Sequence, residues 1–292
     1  MITLTVATPR DFRFRSVVES QGWNHLAPFS YDREQGILHR RQRLSDGQFV
    51  FLRMQGSQSR SIIIEVTGGS RIITSRQRNE IMQTVKRIFN LNWDLRAFYK
   101  DMSKLEAYQW VDEHKAARLL AAPTVWEDLA KTLLTTNVSW SNTIKMAEKL
   151  TQLDPEHVFP TPQTIAALDV ETLKEKTGMG YRAPYLHALA SVITNGEVDV
   201  ESWRNLESND LYKAVMDLTG FGDYAAGTVL RLMGHFDKLA IDSVARNAYE
   251  AIVGHAPESD TDIRDHYEQY GTWRGLVLWM DCIRDNIGAK VT

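Results

Sequence analysis

Two features of the chain have residue types and spacing that could do chemistry: the run Leu218-Thr219-Gly220-Phe221-Gly222-Asp223-Tyr224 and, twenty residues past Gly222, Asp242. Two glycines two apart permit positive φ in a tight turn and let another backbone approach closely. The helix expected after them begins with amides, from about Gly222 to Ala225, that have no acceptor inside the helix and suit an anion such as a phosphate. Asp242 follows the apolar run Leu239-Ala240-Ile241 and opens a new helical pattern. A carboxylate in that position either caps its helix or stabilises positive charge that develops in a reaction. The residues alone leave both readings open, just as the Gly-x-Gly could be a plain turn between helices.

The elements that must hold these residues are helices. Leu211, Val215 and Leu218 before the glycines and Ala226, Val229, Leu230 and Met233 after them fall at helical spacing. Further upstream, Thr124-x-x-Glu127 has capping-box form, and Thr161-Pro162 offers an N-cap with proline at the first helical position. Ser208 starts another such pattern. Residues 99–292 therefore read as a mainly α region of about nine or ten helices, with the helix–hairpin–helix at about 208–234.

Residues 1–98 have another character. Phe49-Val50-Phe51-Leu52, Ile62-Ile63-Ile64-Glu65-Val66 and Ile72-Ile73 are β-rich runs separated by Asp46-Gly47, Gly56-Ser57 and Gly68-Gly69. A helix is expected over 78–90, with Ile81, Val85, Ile88 and Phe89 on one face. The fold class expected is α+β: a small N-terminal antiparallel sheet with one or two covering helices, followed by the helical body.

Composition narrows the classes. With 43% hydrophobic and 24% charged residues, 17 Gly and 8 Pro in 292 residues, the chain is neither collagen-like nor low-complexity. Its single cysteine, Cys282, forbids an intrachain disulfide and any four-cysteine zinc or iron–sulfur site. No window of about 18 uninterrupted apolar residues suggests a membrane span, so an intracellular protein is expected, in the cytoplasm or nucleoid, or the nucleus of a eukaryote. The formal charge of −3 argues at first against a nucleic-acid partner. It is an average of unlike halves: residues 1–100 carry 16 Lys and Arg, fourteen of them Arg, against 8 Asp and Glu, while the rest carry 18 against 29.

The helix–hairpin–Gly-x-Gly–helix unit with an aspartate at this distance resembles the helix–hairpin–helix superfamily of DNA glycosylases. Thr135-Thr136-Asn137-Val138, Gly178-Met179-Gly180-Tyr181-Arg182-Ala183-Pro184-Tyr185 and Tyr270-Gly271-Thr272-Trp273-Arg274 resemble more narrowly the branch with 8-oxoguanine glycosylases and 3-methyladenine glycosylase II. The resemblance implies Asp242 as the catalytic aspartate and Tyr181 as a wedge entering the duplex where the target base leaves. It places Asn137 in the vacated space and a DNA phosphate on the hairpin around Gly220, Gly222 and Ala225, with Arg182 and Arg246 as local cations. Hairpin carbonyls of such proteins often hold a monovalent cation; no other metal and no cofactor is expected. The partner implied is double-stranded DNA with a damaged base, bound by a monomer.

Bifunctional members of that branch have a lysine two residues past the second hairpin glycine, and here Tyr224 stands there. A monofunctional enzyme is therefore expected, which uses water and has no lyase activity. Hydrolysis of the N-glycosidic bond passes through an oxocarbenium-like sugar, for which an ionised Asp242 is suited. Tyr224 and Trp279 are the expected base-pocket aromatics, with Trp126, Trp140 and Trp273 weaker candidates. Electron-rich rings attract cationic alkylated purines, so an alkylated base is the expected lesion. An oxidised-purine glycosylase and a non-catalytic damage-binding protein are the alternatives. Asp223 departs from the family pattern, because a carboxylate at the anion-facing helix start repels a phosphate while suiting the helix dipole.

Overall fold

The computed structural model describes residues 1–68, 73–285 and 287. Packing divides the chain into two compact units: Met1–Trp93 with Arg118–Val200, and Asp94–Ala117 with Glu201–Thr292. Each is built around its own set of elements.

The first unit holds an antiparallel sheet of five strands, β1 (Ile2–Ala7), β2 (Phe29–Asp32), β3 (Ile37–Arg43), β4 (Phe49–Gly56) and β5 (Ser61–Thr67), in the order β1-β5-β4-β3-β2. Alternation fixes the register: Leu4 and Val6 face Ile64 and Ile62, Leu52 faces Val66, and Met54 lies between Leu38 and Ile64. All eight side chains are buried, and a slip of one residue would turn them to solvent. The helix Ser75–Ile88 buries Ile81, Val85 and Ile88 at the expected spacing. It starts three residues earlier than the pattern suggested, because Thr74 and Gln77 form a capping box. Of the third β-rich run, Ile73 lies outside any strand; Ile72 and the Gly69 half of the Gly68-Gly69 turn lie outside the described residues.

The helices between 118 and 200 join this unit, so packing divides the chain elsewhere than at the 98/99 boundary. The reason is visible in the helix Val125–Leu134, which is buried on every side. Thr124 caps it through the Glu127 amide at 3.2 Å, as the capping-box form predicts. The Glu127 carboxylate does not reach back to complete the box: it takes two hydrogen bonds from Arg40 of β3, at 2.9 and 2.6 Å, and pairs with Lys131 at 2.7 Å. Next to it Asp128 accepts from Trp23, Arg87 and the Ala122 amide, each at 2.8 Å. Charges this deeply buried persist only when paired, and the sheet and its covering helix supply the pairs. Burial raises the Glu127 carboxyl, yet Arg40 and Lys131 outweigh it and hold the group below its ordinary range. Burial pushes Lys131 down to about 8 despite Glu127 beside it.

The second unit is helical. Its elements include Arg96–Met102, Ser208–Met216, Asp223–Leu232, Ser243–Val253, Asp260–Glu268 and Arg274–Ile283. Asp281 is buried there and accepts hydroxyl bonds from Tyr267 at 2.7 Å and Tyr108 at 2.9 Å. Burial nevertheless pushes its carboxyl up to about 6.

Candidate active site

The hairpin joins Ser208–Met216 to Asp223–Leu232. Its two glycines have different tasks. Gly220 takes φ +89°, the left-handed region that needs glycine in so tight a turn. Gly222 does not: at φ −124° and ψ −171° its backbone is extended, open to any residue. A Cβ at 222 would meet nothing within 4 Å among the described residues. The amides of Asp223 and Ala225 belong to the first turn of the following helix, where no intrahelical acceptor exists. Ala225 can contribute only its amide, since its side chain is buried. The Leu218 and Gly222 carbonyls accept from Phe221 and Ala226, and a monovalent cation held by the hairpin would take their second lone pairs. Among the described residues, no group of three or more His, Cys, Asp or Glu could hold a metal ion.

The carboxylate expected to repel a phosphate is directed elsewhere. Asp223 accepts the Tyr212 hydroxyl bond and pairs with Arg264 at 3.5 Å. Its charge is therefore partly compensated, and the conflict read from the sequence is eased.

Asp242 is placed by backbone packing. It caps the helix Ser243–Val253 by accepting from the Ala245 amide at 2.9 Å through Oδ1. The capping reading is the one observed; Oδ2 takes no hydrogen bond from any described residue. The loop leading to it is clamped by two helical glycines. A Cβ on Gly227 would lie 2.6 Å from the Leu239 carbonyl oxygen, and one on Gly275 would lie 2.1 Å from that of Lys238. Gly275 also donates its amide to Phe236 at 2.7 Å. Neither glycine stood out in the sequence, where a glycine inside a helical pattern gives no sign of what approaches it.

Tyr224 and Arg231 lie seven residues apart on one face of Asp223–Leu232. The Arg231 guanidinium lies over the Trp279 ring, 4.0 Å from its centre. Trp279 is in the helix Arg274–Ile283, with Cys282 one turn further on. Burial pushes the Cys282 thiol up to about 12. The other tryptophans have packing roles: Trp126 donates to the Pro160 carbonyl at 2.9 Å, the Trp140 ring occupies the space a Cβ of Gly22 would need, and Trp273 packs on Phe98 and Phe236.

Asn137, Tyr181 and Arg182 lie together in the first unit, whereas Arg246 belongs to the second. Asn137 is exposed at φ +46°, and Tyr181 is 51% exposed with its hydroxyl on the Thr136 carbonyl at 3.4 Å. Arg182 requires correction. Expected as a cation for phosphate, it is 5% exposed and donates to the carbonyls of Thr136 and Asn137 while lying under the Tyr181 ring at 4.4 Å. It ties the two loops that carry Asn137 and Tyr181 to each other. Arg246 is exposed and bonded twice to Asp260, at 2.9 and 3.0 Å.

Residues 130–272 match the model of the HhH-GPD superfamily base excision DNA repair proteins. The chain is 22% identical over 215 residues to the protein YfjP of Bacillus subtilis (strain 168), which covers 69% of this chain and 74% of that one. Its fold matches the 3-methyladenine DNA glycosylase of Archaeoglobus fulgidus with a TM-score of 0.77 and 18% identity, over 97% of this chain and 98% of that one. It also matches the 8-oxoguanine glycosylase/lyase of Clostridium acetobutylicum, solved with double-stranded DNA containing cytosine opposite 8-oxoguanine. There the TM-score is 0.70 and the identity 18%, over 97% and 96% of the two chains.

Proposed function

We propose that the chain is a monofunctional DNA glycosylase that binds duplex DNA as a monomer, takes a damaged base out of the stack and hydrolyses its N-glycosidic bond. The observation that carries this reading is Asp242, whose Oδ1 is committed to its helix while Oδ2 takes no hydrogen bond from a described residue. As the bond to the base breaks, positive charge builds on the sugar, and a fixed carboxylate stabilises it. Water adds to the anomeric carbon, the electron pair of the broken bond leaves with the base, and the water's proton passes to Asp242 or solvent. The product is an abasic site.

Tyr224 supports hydrolysis over lyase chemistry, because a phenol cannot form the Schiff base that an amine at that position would. The exposed Tyr181 and Asn137 suit insertion into a duplex from which a base has been rotated, a step that costs about a few kcal/mol. The related folds include both 3-methyladenine and 8-oxoguanine enzymes, so the alkylated base expected from Tyr224 and Trp279 has to be weighed against the charge beside them. Incubation with damaged duplex should yield alkali-labile sites without borohydride-trapped adduct, and Asp242→Asn should abolish them while DNA is still bound. Undiminished release by that variant would refute the assignment.

A further inference from the structure

Arg231 differs from the other deeply buried arginines. Arg40 has Glu127, Arg118 has Asp11, and Arg182, which has no carboxylate either, donates to the carbonyls of Thr136 and Asn137. Arg231, 3% exposed, has no ion pair with any described residue, and its Nε is buried without a hydrogen-bond partner. What it has is the Trp279 ring at 4.0 Å. Burial lowers the guanidinium's affinity for its proton, and the negative charge of Asp242, like that of Tyr224 or Cys282 when ionised, is near enough to oppose this. Tyr224 lies two turns back on its own helix, and Gly227, between the two, admits the backbone that leads to Asp242. A buried cation with no carboxylate of its own is costly, and this one sits among the residues assigned to the flipped base and the reacting sugar.

We propose that Arg231 sets the lesion class: its guanidinium makes the pocket select neutral damaged bases that present carbonyl oxygens, such as deaminated or oxidised bases, and disfavour N-alkylated purines that carry a positive charge. The inference rests on the assignment of Asp242 and Tyr224 to a glycosylase pocket. A cationic base stacked against Trp279 would share the ring with a permanent cation, and the two would repel across a site from which water is excluded. A neutral base gains twice. Its carbonyl oxygens can accept from the guanidinium, and when the glycosidic bond breaks its nitrogen receives the electron pair, so negative charge grows next to Arg231 until a proton arrives from water. A cationic base becomes neutral on leaving and draws no such benefit.

The test is kcat/KM for base release from duplexes containing hypoxanthine, uracil or 8-oxoguanine, compared with 7-methylguanine and 3-methyladenine in methylated DNA. The wild type should favour at least one of the neutral bases over both alkylated ones. Arg231→Met should lower release of that base at least tenfold relative to alkylated bases, and Arg231→Lys, which keeps the charge, should retain the preference. Melting followed by circular dichroism establishes that each variant is folded, and should the methionine variant not fold, loss of the preference in the lysine variant decides against the proposal. Preference of the wild type for 7-methylguanine, or an unchanged ratio in folded Arg231→Met, overturns it. Failure of the wild type to release any of these bases overturns the glycosylase reading itself, a result distinct from release without discrimination.

Discussion

Gly227 meets the backbone of Leu239 so closely that a Cβ would lie 2.6 Å from its carbonyl oxygen. No rotamer change relieves such a clash, because the obstacle is main chain. Gly227→Ala must therefore push the 239–242 segment away from the helix, at a cost of about 1–3 kcal/mol in stability. The displaced segment carries Asp242, so base release should fall at least tenfold in the fraction that remains folded. Thermal melting and single-turnover release measure the two effects, and near-wild-type release would show that Asp242 is positioned by something else.

Tyr181 and Arg182 are adjacent yet should respond in opposite ways. Tyr181→Ala removes an exposed ring and should leave stability within about 0.5 kcal/mol while weakening binding to lesion-containing duplex. Arg182→Met leaves the carbonyls of Thr136 and Asn137 without their buried donor, which should cost about 1–3 kcal/mol. Paired melting and DNA-binding titrations distinguish an inserted group from the group that supports it.

The carboxyl of Asp281 gives a pH signature. Its folded value, about 6, lies above the ordinary 3.8 because burial penalises the ionised form. Between those values the native state holds a proton that the unfolded chain has released, so this contribution is present below about pH 4 and lost as pH rises through 6. Asp281→Asn should remove that dependence and make the protein more stable at pH 7.5 relative to pH 5 than the wild type, by about 1–3 kcal/mol. Identical pH profiles of melting would contradict it.

Glu127→Gln should be among the most damaging substitutions in the first unit. It leaves Arg40 and Lys131 as neighbouring buried cations without their shared anion, a loss of about 3–5 kcal/mol. Chemical denaturation at pH 7 measures it, and a loss below about 1 kcal/mol would mean that water reaches the cluster.

DNA affinity should be only moderately salt-dependent. Arg15, Arg33, Arg43, Arg53 and Arg87 of the basic front are committed to carboxylates, which leaves fewer cations for phosphates than the charge count implies. At about 0.9 per neutralised phosphate, the log–log slope for a short duplex should have a magnitude below about six. A steeper slope would show that these pairs exchange their carboxylates for DNA.

Patterns local in sequence were legible: the alternating strands, the helix over Ile81–Ile88, the Thr161-Pro162 start, the hairpin and the capping Asp242. What escaped depends on partners distant in the chain. Glu127 has capping-box spacing, but its carboxylate is taken by Arg40, 87 residues away. Arg182 reads as a surface cation until the carbonyls of residues 136 and 137 close over it. Gly227 and Gly275 are silent because the backbone they admit arrives from elsewhere, and a boundary drawn at one residue cannot describe units that each take two stretches of chain. Nothing in the sequence marks Arg231; its place on Trp279 follows from the packing of two helices 40-odd residues apart.

Cys282 has a consequence of a different kind. Electrophiles that attack cysteine do so through its thiolate. Burial pushes the one thiol of this chain up to about 12, against the pull of Arg231 and with the help of the Asp242 charge, so it stays protonated at neutral pH. Alkylation of the chain's only sulfhydryl should therefore be slow in the folded protein and fast once it is unfolded.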